Sequence, residues 1–144
     1  MKSELTIFYT DDDLDDLEFF KEIVGDISEN WHVVTQTCGE KLLHDLENPP
    51  PHPYLVFLDI NMPGLTGFDV LKKVRQKHHH NDLPIVMFST SNDEHVIQKS
   101  RMLGATYYMT KSGAFDKLKK SIEHALGINW SSFIPTDKNF LYSH

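Results

Sequence analysis

Three aspartates, a serine and a lysine in this 144-residue chain each end or directly follow a short apolar run. Asp11 and Asp12 follow the first run, Asp59 follows the third, Ser89 and Thr90 close the fourth, and Lys111 lies just past the fifth. Carboxylates held close together raise one another's pKa and do not all stay ionised unless a cation lies among them. A hard divalent ion meets that need. Mg²⁺ (or Mn²⁺) suits it because Mg²⁺ keeps several waters, accepts one or two carboxylates and leaves positions for phosphoryl oxygens. On this reading Asp12 and Asp59 ligate directly and Asp11 acts through water. A carboxylate is also a nucleophile toward phosphorus, forming an acyl phosphate. The cation, the Lys111 ammonium and the Ser89 hydroxyl then stabilise the charge on the transferring group, which besides positioning is nearly all a protein contributes to phosphoryl transfer.

The elements that must position these groups are legible in the hydrophobic pattern. Runs at Leu5 to Tyr9, His32 to Thr37, Tyr54 to Leu58, Ile85 to Phe88 and Thr106 to Met109 are rich in β-branched and aromatic residues and read as strands. Helical spacing fills the intervals: Leu14, Leu17, Phe20, Val24 and Ile27; Leu42, Leu43 and Leu46; Phe68, Leu71 and Val74; Val96, Ser100 and Leu103; Phe115, Leu118, Ile122 and Ala125. Such alternation predicts right-handed βαβ units, a parallel sheet and helices on both faces, a doubly wound α/β domain. In open sheets of this kind ligands gather outside the carboxyl ends of the strands, where the five chemical positions fall. Pro49 to Pro51 and Pro53 end the second helix, Pro63-Gly64 and Gly67 mark a loop, and Gly104 and Gly127 are placed at helix C-termini.

Length and composition bound the rest. The chain has room for one domain, and 40% hydrophobic with 24% charged residues is the balance of an ordinary globular protein. We read residues 1–127 as that domain and 128–144 as a tail, with no separate output domain. Trp130, Phe133, Ile134, Phe140, Leu141 and Tyr142 give the tail apolar groups to fold back onto a surface. A formal charge of −7 repels phosphate backbones and argues against direct nucleic-acid binding. Cys38 alone forms no internal disulfide, and neither a signal peptide nor a membrane span is apparent, so a cytoplasmic protein is expected.

Four stretches carry a resemblance: Ile7-Phe-Tyr-Thr-Asp-Asp-Asp13, Leu58-Asp-Ile-Asn-Met-Pro-Gly64 with Gly67, Pro84-Ile-Val-Met-Phe-Ser-Thr90, and Tyr108-Met-Thr-Lys111. Together, over residues 4–127, the chain resembles the receiver domain of two-component response regulators. The resemblance implies a flavodoxin-like (βα)5 three-layer sandwich with strand order 2-1-3-4-5. It implies Asp59 as phosphoacceptor, Asp11 and Asp12 as the acidic pair, the Asn61 backbone carbonyl as a metal ligand, Ser89 as the switching hydroxyl, Lys111 as phosphate partner and Tyr108 as the aromatic switch. A sensor histidine kinase or histidine phosphotransferase is the implied donor. The output is a change in affinity for a downstream effector protein, in a monomer or a phosphorylation-dependent dimer. The module is a switch rather than an enzyme.

The chain departs from the family pattern where Ser112 replaces the usual proline after the lysine, which bears on whether the Lys111–Ser112 bond is cis. It departs again at Thr10, where an aliphatic residue is usual. A haloacid-dehalogenase-type phosphohydrolase needs a second acid two residues after its nucleophile, and Asn61 there cannot titrate. An EF-hand count over Asp11, Asp13, Asp15 and Glu22 fails at Asp16, where that turn needs glycine. Asp13, Asp15 and Asp16 read instead as first-turn charges on the first helix. A pseudo-receiver that binds without phosphorylation is the remaining alternative. His78-His79-His80 reads as a solvated loop, since adjacent histidines do not share a helix face.

Overall fold

The computed structural model describes residues 5–47, 54–77 and 82–142. The apolar runs form β1 (Leu5–Thr10), β2 (Trp31–Gln36), β3 (Tyr54–Leu58), β4 (Ile85–Ser89) and β5 (Tyr107–Thr110). All adjacent strands pair in parallel, in the order β2-β1-β3-β4-β5. Each strand agrees with the sequence reading to within one residue at either end. Between them lie α1 (Leu14–Ile27), α2 (Gly39–Glu47), α3 (Gly67–Arg75) and α4 (Glu94–Met102), and α5 (Phe115–Leu126) follows β5.

Because side chains alternate across a strand, each strand feeds two cores. Ile7, Tyr9, Leu55, Phe57, Val86 and Phe88 pack with Leu17, Phe20, Ile23 and Val24 of α1 and Ile122, Ala125 and Leu126 of α5. Phe8, Val56, Leu58, Met87 and Tyr108 face the other way, onto Leu42 and Leu46 of α2 and Val70, Leu71 and Val74 of α3. The sheet is thus buried on both faces, which is why β3 is apolar throughout. Two residues assigned by spacing to the apolar faces are instead exposed, Leu14 by 65% and Phe115 by 47%. Each opens its helix at the carboxyl edge of the sheet, beyond the last strand residue it could cover. Gly104 follows α4 with φ +102°, a conformation that glycine adopts without strain, whereas Gly127 caps α5 in the ordinary right-handed region. The proline cluster at 49–53 and the histidine run at 78–80 lie outside the described residues.

The tail folds back. Trp130, Phe133 and Tyr142 join the core beneath α5, where Trp130 and Phe133 meet Tyr107 edge-on at 5.8 and 5.7 Å between ring centroids. Phe140 enters the opposite core, 3% exposed. The Tyr108 N–H donates to the Phe140 carbonyl and the Tyr142 N–H to the Tyr108 carbonyl, both at 2.9 Å, forming a parallel bridge between Tyr108 and Leu141 beside β5. An ion pair joins Arg101 of α4 to Asp137 of the tail. No helix among the described residues is long and apolar enough to cross a membrane.

Candidate functional site

Register brings the predicted residues to one edge. Thr10 of β1 is level with Leu58 of β3, and Ser89 of β4 with Thr110 of β5, so the next residues, Asp11, Asp59 and Lys111, leave the sheet side by side. Backbone bonds carry the ladder past the strand ends: the Asp59 N–H donates to the Thr10 carbonyl at 3.0 Å and the Lys111 N–H to the Ser89 carbonyl at 2.7 Å. Behind Asp59 the chain turns tightly into α3. A methyl group on Gly67 would come within 2.3 Å of the Asp59 carbonyl oxygen, so only glycine lets the helix start pass so close. The Gly67 N–H bonds the Ile60 carbonyl at 2.8 Å, and a Thr66–Asp69 capping box fixes the first turn of α3.

Carboxylate oxygens of Asp11, Asp12 and Asp59 lie within 4.8 Å of one another. Asp11 and Asp59 are buried, 1% and 6% exposed, while Asp12 faces solvent. Three hard oxygen donors at this spacing, one of them open to water, fit a divalent cation. Lys111 Nζ stands among the acids, 2.5 Å from Asp11 Oδ2, 3.0 Å from Asp16 Oδ2 and 3.5 Å from Asp59 Oδ1. Burial pushes the Asp59 carboxyl up to about 6; Lys111 pulls against that rise and the Asp11 charge adds to it. Burial disfavours the charge on Lys111, but the hydrogen bond that Lys111 donates to Asp11 and the fields of Asp59 and Asp11 outweigh it and raise the pKa of the ammonium above its ordinary value.

Ser89 is wholly buried, and its hydroxyl oxygen accepts the Ser91 N–H at 3.3 Å. Tyr108 is buried too, and its hydroxyl donates to the Ser91 carbonyl at 2.7 Å, with burial raising its pKa. The serine and the tyrosine therefore meet at one residue of the loop between β4 and α4. Asn61 lies two residues past Asp59 in the loop that leaves β3, with its side chain exposed. No peptide bond among the described residues is cis, so Lys111–Ser112 is trans, in keeping with the cost of a cis bond before a residue other than proline. Thr10 completes β1, and its buried hydroxyl donates to Gln36 Oε1 at 2.8 Å. Gln36 in turn donates to Asp45 of α2 at 3.0 Å.

Two members of the site were not singled out from sequence. Tyr9 reads as a core strand residue, yet strand alternation puts it on the same face as Asp11, and its hydroxyl donates to Asp11 Oδ2 at 2.5 Å. Asp16 reads as a first-turn helix charge, which it is, but its carboxylate also accepts from Lys111. The signal for Tyr9 was its i, i+2 spacing to the first acid. For Asp16 it was the spacing of three from the Asp13 cap, which turns a side chain back toward the strand ends.

The sequence model of the response regulator receiver domain matches residues 7–123. Response regulator RR06 of Streptococcus pneumoniae is 32% identical over 111 residues, covering 76% of this chain and 49% of that protein. Two-component response regulator ARR17 of Arabidopsis thaliana is 29% identical over 136 residues, 88% of each chain. The first curated relatives are longer, and this chain spans about half of their length or less. Among solved structures, the phosphorylated cyanobacterial phytochrome response regulator RcpA superimposes with a TM-score of 0.79 at 26% identity, covering 92% of this chain and 98% of that one. Since the match runs from within β1 into α5 and takes in every strand end that carries an acid, serine or lysine of the site, the chain belongs to the response regulator receiver domain family.

Proposed function

We propose that this receiver accepts a phosphoryl group on Asp59 and passes the change to a separate effector protein. The observation that carries the reading is the Lys111 ammonium standing between Asp11 and Asp59 at a sheet edge where three carboxylates crowd within 4.8 Å. An Asp59 carboxylate oxygen attacks phosphorus of a phosphohistidine on a sensor histidine kinase or histidine phosphotransferase. The P–N bond breaks as the P–O bond forms, and the imidazole leaves with the electron pair. Lys111 is placed to meet the negative charge left on the phosphoryl oxygens. Asp12, Asp59 and the Asn61 backbone carbonyl would hold Mg²⁺ or Mn²⁺, with Asp11 acting through water, and the ion would neutralise charge on the transferring group.

Ser89 and Tyr108 are the residues proposed to report the event. A phosphoryl oxygen that draws the Ser89 hydroxyl takes it from the Ser91 N–H, and Tyr108 is tied to the same residue through its carbonyl. The loop before α4 then repacks, a shift between two discrete arrangements driven by differential contacts. This reading implies a cytoplasmic switch that turns over no external substrate, acting as a monomer or as a phosphorylation-dependent dimer.

Intact-mass measurement after incubation with acetyl phosphate and Mg²⁺ tests it. One phosphoryl adduct, absent in Asp59→Asn and absent when the metal is chelated, is the expected result. No adduct on folded, Mg²⁺-loaded protein, with acetyl phosphate or with a phosphohistidine donor, would overturn the reading in favour of a receiver that signals by docking alone.

A further inference from the structure

We propose that Asp16 is a positioning residue for the Lys111 ammonium, parking it on the α1 side of the site so that a phosphoryl group on Asp59 must draw it away. The functional consequence rests on Asp59 being the phosphoacceptor; the parking itself does not.

An ammonium has three N–H donors, and Lys111 has three carboxylates around it. The distances rank them: Asp11 Oδ2 at 2.5 Å, Asp16 Oδ2 at 3.0 Å, Asp59 Oδ1 at 3.5 Å. The contact to Asp59 is too long for a strong hydrogen bond, so the lysine leans toward α1 and away from the carboxylate it is to serve. Asp11 cannot follow it elsewhere. Its Oδ2 also accepts the Tyr9 hydroxyl at 2.5 Å, and its Oδ1 accepts the Asp13 N–H at 3.0 Å. The Tyr9 ring is itself packed on Phe20 and Phe88, at 4.5 and 5.7 Å between centroids.

Asp16 is the partner that can let go, because its side chain is 37% exposed on the first turn of α1. The cap of that helix explains why it is available. In α3 the acid at the third helical position, Asp69, folds back onto the N–H of its cap residue and closes a capping box. Asp16 holds the same position in α1, but the N–H of the cap Asp13 is already taken by Asp11 Oδ1. With no cap N–H to accept, Asp16 turns to Lys111. Helix-dipole attraction alone is no explanation, since Asp15 fills that role one residue away without touching the lysine.

The test uses the whole chain and two readouts. In metal-free protein, the ¹⁵N ammonium resonance of Lys111, identified by its loss in Lys111→Arg, is expected to shift or broaden in Asp16→Asn, to be unmoved in Asp15→Asn and to be restored in Asp16→Glu. With Mg²⁺ present, Asp16→Asn is expected to bind beryllofluoride, the phosphoryl mimic, about 1.5-fold to fivefold more tightly, the span of a partly exposed ion pair. Asp15→Asn removes the same charge from the same turn and is expected to leave affinity nearly unchanged. Equal effects from Asp15→Asn and Asp16→Asn would reduce the finding to net charge and overturn the proposal, as would a Lys111 resonance indifferent to Asp16→Asn. If wild-type protein fails to bind beryllofluoride, the phosphoacceptor reading falls, while the metal-free resonance still decides whether Asp16 parks the lysine.

Discussion

The carboxyl edge of the sheet and the margin beyond β5 are built on opposite principles. At the edge, buried charges are held by other charges and by hydrogen bonds that can be exchanged: Lys111 has three acids to choose among, and Ser89 and Tyr108 share Ser91. Beyond β5, Phe140 of the tail is buried in one core, Trp130, Phe133 and Tyr142 pack half-buried against the other, and the tail is joined to Tyr108 through backbone bonds. The first region gives up stability to keep a buried carboxylate in place; the second supplies stability through apolar packing and backbone pairing. The difference teaches that the proposed chemistry and most of the tail's stabilising contacts lie in different places, and substitutions in each are expected to sort accordingly.

The sharpest contrast is expected from Phe140→Ala. Emptying a fully buried phenylalanine costs about 3–5 kcal/mol, read as a lower denaturant midpoint, while the phosphoryl adduct on Asp59 should still form in the protein that remains folded. A loss of the adduct without a loss of stability would break the division between the regions. Asp59→Asn should act in the opposite sense. Burial pushes the folded carboxyl up to about 6, against an ordinary value of 3.8. The folded state therefore binds the extra proton between those values, and the stability tied to Asp59 is full below about pH 4 and falls as pH rises through 6. The neutral variant should be more stable than wild type by about 3 kcal/mol at pH 7, with the gap closing toward pH 4 in paired chemical denaturations. A gap that stays constant with pH would remove burial of charge as its cause.

Gly67→Ala should cost about 1–3 kcal/mol, because the added methyl meets the Asp59 carbonyl at 2.3 Å. Since the backbone of Asp59 must move to relieve that contact, beryllofluoride affinity should fall along with the melting temperature, unlike the Phe140 case. The smallest effect belongs to Arg101→Ala. The Arg101–Asp137 pair links α4 to the tail, but Asp137 is almost fully in solvent, so the loss should be about 0–1 kcal/mol and vanish at high salt.

Most of the fold and five of the strand-edge positions were legible because they follow rules of order. A strand, a polar residue at its carboxyl end, a helix, repeated, places Asp11, Asp12, Asp59, Ser89 and Lys111 together whatever the side chains do afterward. Asp16 and Tyr9 escaped because their roles depend on rotamers and on which donor is already taken, and the bland reading of each, a helix-end charge and a core aromatic, was also true. Leu14 and Phe115 escaped for a different reason: helical periodicity says which face a residue lies on but not whether the sheet extends far enough to cover it. The tail is a third case. Its apolar residues suggested that it would fold back, but lacking a period they gave no hint that Phe140 and Trp130 would pack with different cores or that Ile134 and Leu141 would stay exposed.

The bridge between Tyr108 and Leu141 also governs how the molecule behaves in a crowd. β5 is a margin of the sheet, and a margin offers unpaired backbone groups to any extended chain that passes. Here the N–H and carbonyl of Tyr108 are both engaged by the chain's own residues, so the adhesive part of that margin is already covered. A version cut before Phe140 would keep the acids and Lys111 of the carboxyl edge and yet bare a strand beside an emptied aromatic slot. Its fate would be set by concentration: well behaved when dilute, and prone to pair strand on strand and fall out of solution when concentrated.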